Sequence, residues 1–314
     1  MSRADGRGPL LVLAAATLWG TAGTAQELGP PEAWPPAVAA LRTLTGGAVL
    51  LAVVVAWRGR AAIATVARVA RGPLLGAAAA ISVFQWAYFT GIRAAGVAVG
   101  TLLAIGSAPV WAGVLEALAG RRPGRRWMTA TGVTVVGTAL LVLGGSDAGA
   151  GPDAGTTSPA GVVTALTAGA AYATYTVASK RMVDREVDGT AGVALTFAVS
   201  GVLLVPALLP HGVAWIGRTD GLVMIAWLAV GTIALAYTLF AAGLRSVDAP
   251  TATTLTLAEP LTATVLAVAV VGERLSAGAL AGAALVTVGL ALAGRGRRVD
   301  APADPTPGRA VPDR

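Results

Sequence analysis

The sequence predicts an all-α integral membrane fold of ten transmembrane helices arranged as two inverted five-helix repeats. Three observations carry that expectation. The 314 residues are 55% hydrophobic and 12% charged, with a mean hydropathy of +0.72, too apolar and too poor in charge for an ordinary soluble domain. The apolar residues gather into ten stretches, each near the roughly 19 residues that a bilayer core of about 30 Å demands of a helix. Arginines concentrate in alternate connections between those stretches.

Taken in order, the first span, 9–26, follows Arg3 and Arg7. Its Gly23-Thr-Ala25 also resembles a signal-peptide cleavage site, but the repeat described below needs it as a helix. The second span, 35–57, closes on Arg58 and Arg60, and the third, 73–92, runs from Arg71 to Arg93. The fourth, 97–119, ends at the GRRPGRR connection, from which the fifth, 127–145, departs. The sixth, 160–179, stops at Lys180-Arg181, and the seventh, 191–209, at the loop holding His211. The eighth, 220–243, lies between Arg218 and Arg245, the ninth, 249–271, ends at Gly272-Glu-Arg, and the tenth, 276–294, at Arg295.

With the N-terminus inside, 19 basic residues fall in inner segments and 3 (Arg93, Arg218 and Arg274) in outer loops, leaving Arg42 within a span. The positive-inside rule therefore puts both termini in the cytoplasm, in an inner or plasma membrane. The formal charge of +7 is spread over these short loops, which favours membrane topology over nucleic-acid binding. Absence of cysteine removes disulfides and thiolate metal sites. A single histidine excludes histidine clusters and catalytic triads. The one lysine, Lys180, follows a serine and is not part of a phosphate-binding loop. No cofactor or metal is expected, and the spans hold no nucleophile–base pair that would make an enzyme.

The two halves resemble each other at an offset of about 152 residues. Gly91-Ile-Arg93 matches Gly243-Leu-Arg245, Gly120-Arg-Arg-Pro123 matches Gly272-Glu-Arg-Leu275, and Ala130 with Gly137 matches Gly282 with Gly289. Pro109 matches Pro260 after a one-residue slip. Five spans per half is an odd number, so equivalent loops lie on opposite sides and the repeat is inverted, an arrangement associated with alternating-access transport.

The residues AEPLTATVLAVAVVGERLS, followed by GAALVTVG, resemble the EamA family of the drug/metabolite transporter superfamily. The resemblance covers nearly the whole chain, as a first EamA-like repeat over 9–145 and a second over 160–294. It implies ten helices around a central cavity and export of small metabolites, often amino acids or related compounds, without ATP. One departure is Arg121, which stands where the first half of family members often has a glutamate.

Two penalties sit side by side in the ninth span. Glu259 places an ionisable group near the midplane, and Pro260 deprives the Thr256 carbonyl of its helical donor. Pro109 does the same to Ile105 in the fourth span. Broken helices at matching positions point to a binding site, the bland alternative being a kink satisfied by neighbouring threonines. Desolvation at that depth favours the neutral acid, so Glu259 is a candidate proton or ammonium site, or else a hydrogen-bonded structural acid. Thr256 belongs to its polar flank. Arg42, seven residues into its span, meets a substrate carboxylate, pairs with Glu259, or snorkels toward Glu27 or Glu32. Trp19, Trp86 and Tyr172 lie at depth and are candidates either for lining a cavity or for plain packing.

These readings favour a proton-coupled secondary transporter that exports a small organic substrate across the lipid bilayer. A passive facilitator and a non-transporting scaffold or sensor are the alternatives. Gly278-Ala-Leu-Ala-Gly282 permits close helix packing, within the chain or in a homodimer. Residues 295–314, rich in Arg, Pro and Asp, are expected to form a disordered cytoplasmic tail whose arginines touch anionic lipid.

Overall fold

The computed structural model describes residues 7–95, 97–145, 158–210, 212–271 and 276–294, and every regular element among them is helical. The helices are α1 (Gly8–Glu27), α2 (Pro35–Arg58), α3 (Arg60–Val69), α4 (Arg71–Ala95), α5 (Val97–Leu118), α6 (Arg125–Gly145) and α7 (Pro159–Val183) in the first part. They continue as α8 (Gly189–Leu204), α9 (Thr219–Trp227), α10 (Ala236–Gly243), α11 (Ala249–Leu255), α12 (Ala258–Leu266) and α13 (Ala277–Gly294). Local chemistry sets several starts. Asp188 and Asp248 cap the next helices by accepting the amides of Ala191 at 2.9 Å and Thr251 at 2.7 Å. Pro35, Pro159 and Pro250 occupy first-turn positions that need no N–H.

Eight segments are individually long and apolar enough to cross a bilayer, or nine if α3 and α4, bent by 94°, count as one. The 25-residue α7 is not among the eight. Its Thr164, Thr167, Thr174 and Thr176 lower its apolarity, while Ala168, Gly169, Tyr172 and Tyr175 are buried against α4 and α5. A helix flanked by other helices has less need of a hydrocarbon-loving surface all round.

Three features depart from a reading as straight rods. Residues 60–69, expected as connection, form the short helix α3, which packs Ile63 and Val66 against the bundle. Ten residues are too few to register as a span. The eighth span is α9 and α10 joined by a π-helical stretch, Leu228–Leu235. A second π-helical stretch, Ala267–Val271, follows α12. The expected tail at 295–314 and the connection 272–275 lie outside the described residues.

The two halves are interleaved. α2 packs on its repeat mate α8, and α6 on its mate α13. Both pairs run antiparallel: a Cβ on Gly47 would sit 2.6 Å from the Ala198 amide, whereas Gly201 abuts Leu44, and Gly137 and Gly144 abut Val286 and Ala279. α7 stands between α4 and α5 as α1 stands between α10 and α12, which is the same arrangement repeated in the other half. The small-residue face of α13 is occupied within the chain, with Gly282 against Leu141 and Gly137.

The contacts define two ends. At the arginine-rich end, Gly8 meets Gly243 and Ser246, Lys180 donates to the Leu244 carbonyl at 2.9 Å, and Arg58 lies 3.8 Å from Asp188. At the other end Arg218 pairs with Glu32 at 3.0 Å and Asp220 at 2.8 Å.

Candidate functional site

The break between α11 and α12 follows from its sequence. Thr253 and Thr254 turn their hydroxyls back onto the carbonyls of Pro250 and, for Thr253, Ala249, and Thr256 turns its own onto the Thr253 carbonyl. Pro260 then supplies no donor. The helix ends at Leu255 and restarts at Ala258, so Glu259 falls in a first turn, where the helix dipole favours negative charge. The expectation that the Thr256 carbonyl is left free is corrected: it accepts the Glu259 amide at 2.9 Å, a tighter turn that restores the lost bond. The expected symmetry of breaks is also corrected. α5 runs unbroken through buried Pro109.

Glu259 is partly buried, and its backbone is pressed on α1, since a Cβ on Gly20 would lie 2.8 Å from the Glu259 carbonyl oxygen. Arg42 approaches from α2, in the other half of the chain. Its Nη2 donates to Gln85 Oε1 at 3.1 Å, and Gln85 Nε2 in turn donates to Thr43 Oγ1 at 3.1 Å. Glu32 is paired with Arg218 at 3.0 Å, and among the described residues Arg42 forms no ion pair with it. Arg42 and Glu259 lie in each other's electrostatic field but form no ion pair of 4.0 Å or less among the described residues. Among the described residues, the Arg42 Nε and the Tyr172 hydroxyl are buried without a hydrogen-bond partner. Thr256 lies close to that hydroxyl, outside bonding geometry. The site therefore holds a guanidinium nitrogen and a phenol without hydrogen-bond partners, near a carboxylate that forms no ion pair among the described residues.

Toward the arginine-rich end the interior is filled by rings. Phe197 and Tyr237 have centroids 4.3 Å apart, Tyr175 stacks on Phe240 at 6.3 Å, and all four are buried. Trp19 roofs this packing at 4.6 Å from Tyr237, and its indole N–H donates at 2.9 Å to the Thr232 carbonyl in the π-helical stretch. Trp86 is not brought to the cluster: it is 58% exposed, on the same outward stripe of α4 as Leu75 and Val83. A separate crevice of about 330 Å³, lined by Thr21, Asp220, Trp227 and Leu266 among others, opens nearer the Arg218 end.

The structure thus gathers Arg42, Glu259, Thr256, Tyr172 and Trp19, and leaves Pro109 in a continuous helix and Trp86 outside. The organising part of Gln85 was not legible, because its signal depends on Thr43 lying opposite. Glu116 is bound by Arg121 at 2.7 Å near the arginine-rich end, a contact that raises the Arg121 guanidinium above its ordinary range. Among the described residues no group of three acidic or histidine side chains is placed to hold a metal.

The profile of the EamA-like transporter family matches residues 6–143 and again 159–295. The chain belongs to the EamA-like transporter family. This EamA chain is 40% identical over 282 residues to the uncharacterized transporter YwfM of Bacillus subtilis (strain 168), covering 90% of this chain and 91% of that one. A protein of known crystal structure shares its fold, with a TM-score of 0.76 and 22% identity over 93% of this chain and 97% of the other. The family match spans both halves, so this EamA protein is a membrane transporter of two-repeat architecture.

Proposed function

We propose that this protein is a secondary transporter of small organic metabolites, amino acids or related compounds, that works by alternating access and couples to protons through Glu259. The observation that carries the reading is that Arg42, from the first repeat, and Glu259, from the second, lie in each other's electrostatic field without an ion pair, with the Arg42 Nε lacking a hydrogen-bond partner among the described residues. A zwitterion satisfies both at once: its carboxylate takes the guanidinium edge and its ammonium takes the carboxylate. Binding a proton at Glu259 in one state and an ammonium in the other makes the two ligands compete, which yields antiport and hence export.

In this reading ten helices cross the membrane, 9–145 and 160–294 are the two repeats, and both termini are cytoplasmic. The packed rings lie below the pair on the arginine-rich, cytoplasmic side, while Arg42 and Glu259 remain partly accessible, which favours an outward-open state. Tyr172, Thr256 and Trp19 wall the site. Pro109 marks the equivalent position in the first repeat, and Trp86 takes part only if α4 rotates. The deciding experiment is counterflow in proteoliposomes with a panel of radiolabelled amino acids. Saturable exchange that responds to an imposed pH gradient is expected. Unsaturable flux indifferent to the gradient would mean a passive facilitator, and no flux a non-transporting role.

A further inference from the structure

Gln85 is buried at 1% exposure, on the interior stripe of α4. Its hydrogen bonds fix which way its amide faces. Thr43 spends its hydroxyl proton on the Ala39 carbonyl at 2.7 Å, so its oxygen accepts, and it accepts the Gln85 amide nitrogen at 3.1 Å. That turns Gln85 Oε1 onto Arg42 Nη2, also at 3.1 Å. A flipped amide would set two donors against each other at the guanidinium and leave the threonine oxygen facing a carbonyl.

Resting on the transport reading above, we propose that Gln85 is a positioning residue that holds Arg42 apart from Glu259 in the empty protein. A ligand carrying both carboxylate and ammonium, rather than an internal ion pair, then joins the two charges. Opposite charges in a low-dielectric interior attract strongly, so two such neighbours left unpaired need a restraint. Gln85 supplies it by occupying one edge of the guanidinium without cancelling its charge. The buried Nε stays without a hydrogen-bond partner among the described residues. The further titratable groups felt at this site are Tyr88 on α4, Tyr172 on α7 and Tyr237 on α10, phenols that are neutral near pH 7 and offer Arg42 no competing anion.

The test reads Glu259 directly. Dicyclohexylcarbodiimide modifies protonated carboxyl groups from within the membrane, and peptide mass spectrometry locates the product at Glu259 in the full-length reconstituted protein. Gln85→Leu frees Arg42 to pair with Glu259, and because a contacting opposite charge favours the carboxylate by roughly one to three powers of ten, modification should fall at least about tenfold. Gln85→Leu combined with Arg42→Ala should restore it. Gln85→Asn, which keeps the amide but shortens its reach, carries the same expectation if the leucine variant fails to fold. Wild-type modification rates in Gln85→Leu, or in Gln85→Asn where only that variant folds, overturn the role of Gln85 and leave the transport reading standing. Wild-type, pH-responsive transport by both Arg42→Lys and Glu259→Gln would instead remove these two residues from substrate recognition and proton coupling in the reading above, and leave the labelling result in place.

Discussion

Replacing Arg42 by lysine keeps the positive charge and removes the planar fork, which makes it the sharpest probe of the site. Arg42 commits Nη2 to Gln85 and holds Nε without a partner. An ammonium on a shorter stem cannot serve both directions. If it turns to the substrate, Gln85 Oε1 is left buried without its donor, at a cost of about 1–3 kcal/mol in stability. If it stays with Gln85, the substrate loses a charge-assisted hydrogen bond worth about 1.5–3 kcal/mol. The second loss corresponds to a fall of roughly ten- to hundredfold in transport efficiency. Counterflow at several substrate concentrations separates weakened binding from slowed turnover, and a melting curve in detergent reads the first loss. The expected result is a raised half-saturation concentration for zwitterions at near-normal expression. Equal half-saturation and rate in the two proteins would refute the assignment of Arg42 to the substrate carboxylate.

Glu259→Gln imitates the permanently protonated acid, so it should insert normally yet lose gradient-driven export; a variant that keeps the wild-type response to external pH eliminates Glu259 as the coupling group. Single cysteines in this cysteine-free chain test topology: Ala160→Cys should react with an impermeant maleimide from outside and Gly124→Cys should not, and the opposite pattern reverses the orientation. Gly137→Ala should lower the melting temperature, because its methyl would lie 2.6 Å from the Val286 amide nitrogen and overpacking of this kind costs about 1–3 kcal/mol. An unchanged melting temperature would show that α6 and α13 can separate freely. Trp19→Phe removes the indole bond to Thr232 at 2.9 Å while keeping a ring in place, and should cost about 1 kcal/mol, read in the same melting assay.

What the sequence determined by itself was the kind of solvent this chain inhabits and the doubling of its architecture. Hydropathy, arginine placement and the matched glycines act locally, one segment at a time, and the bilayer enforces them because it leaves helices as the economical way to satisfy the backbone. Glu259 and Arg42 were conspicuous for the same reason, as charges where charge is expensive. Other properties belong to pairs of helices distant in sequence. That Thr43 turns Gln85 toward Arg42, that α1 presses Gly20 on Glu259, and that Trp19 reaches Thr232 depend on which faces meet. The structure was also needed to see that the Thr256 carbonyl is satisfied by a tightened local turn and that Pro109 leaves its helix whole. Proline specifies only the absence of a donor; whether a helix breaks, tightens or carries on depends on the groups within reach of its remaining carbonyls, which spacing along the chain does not list.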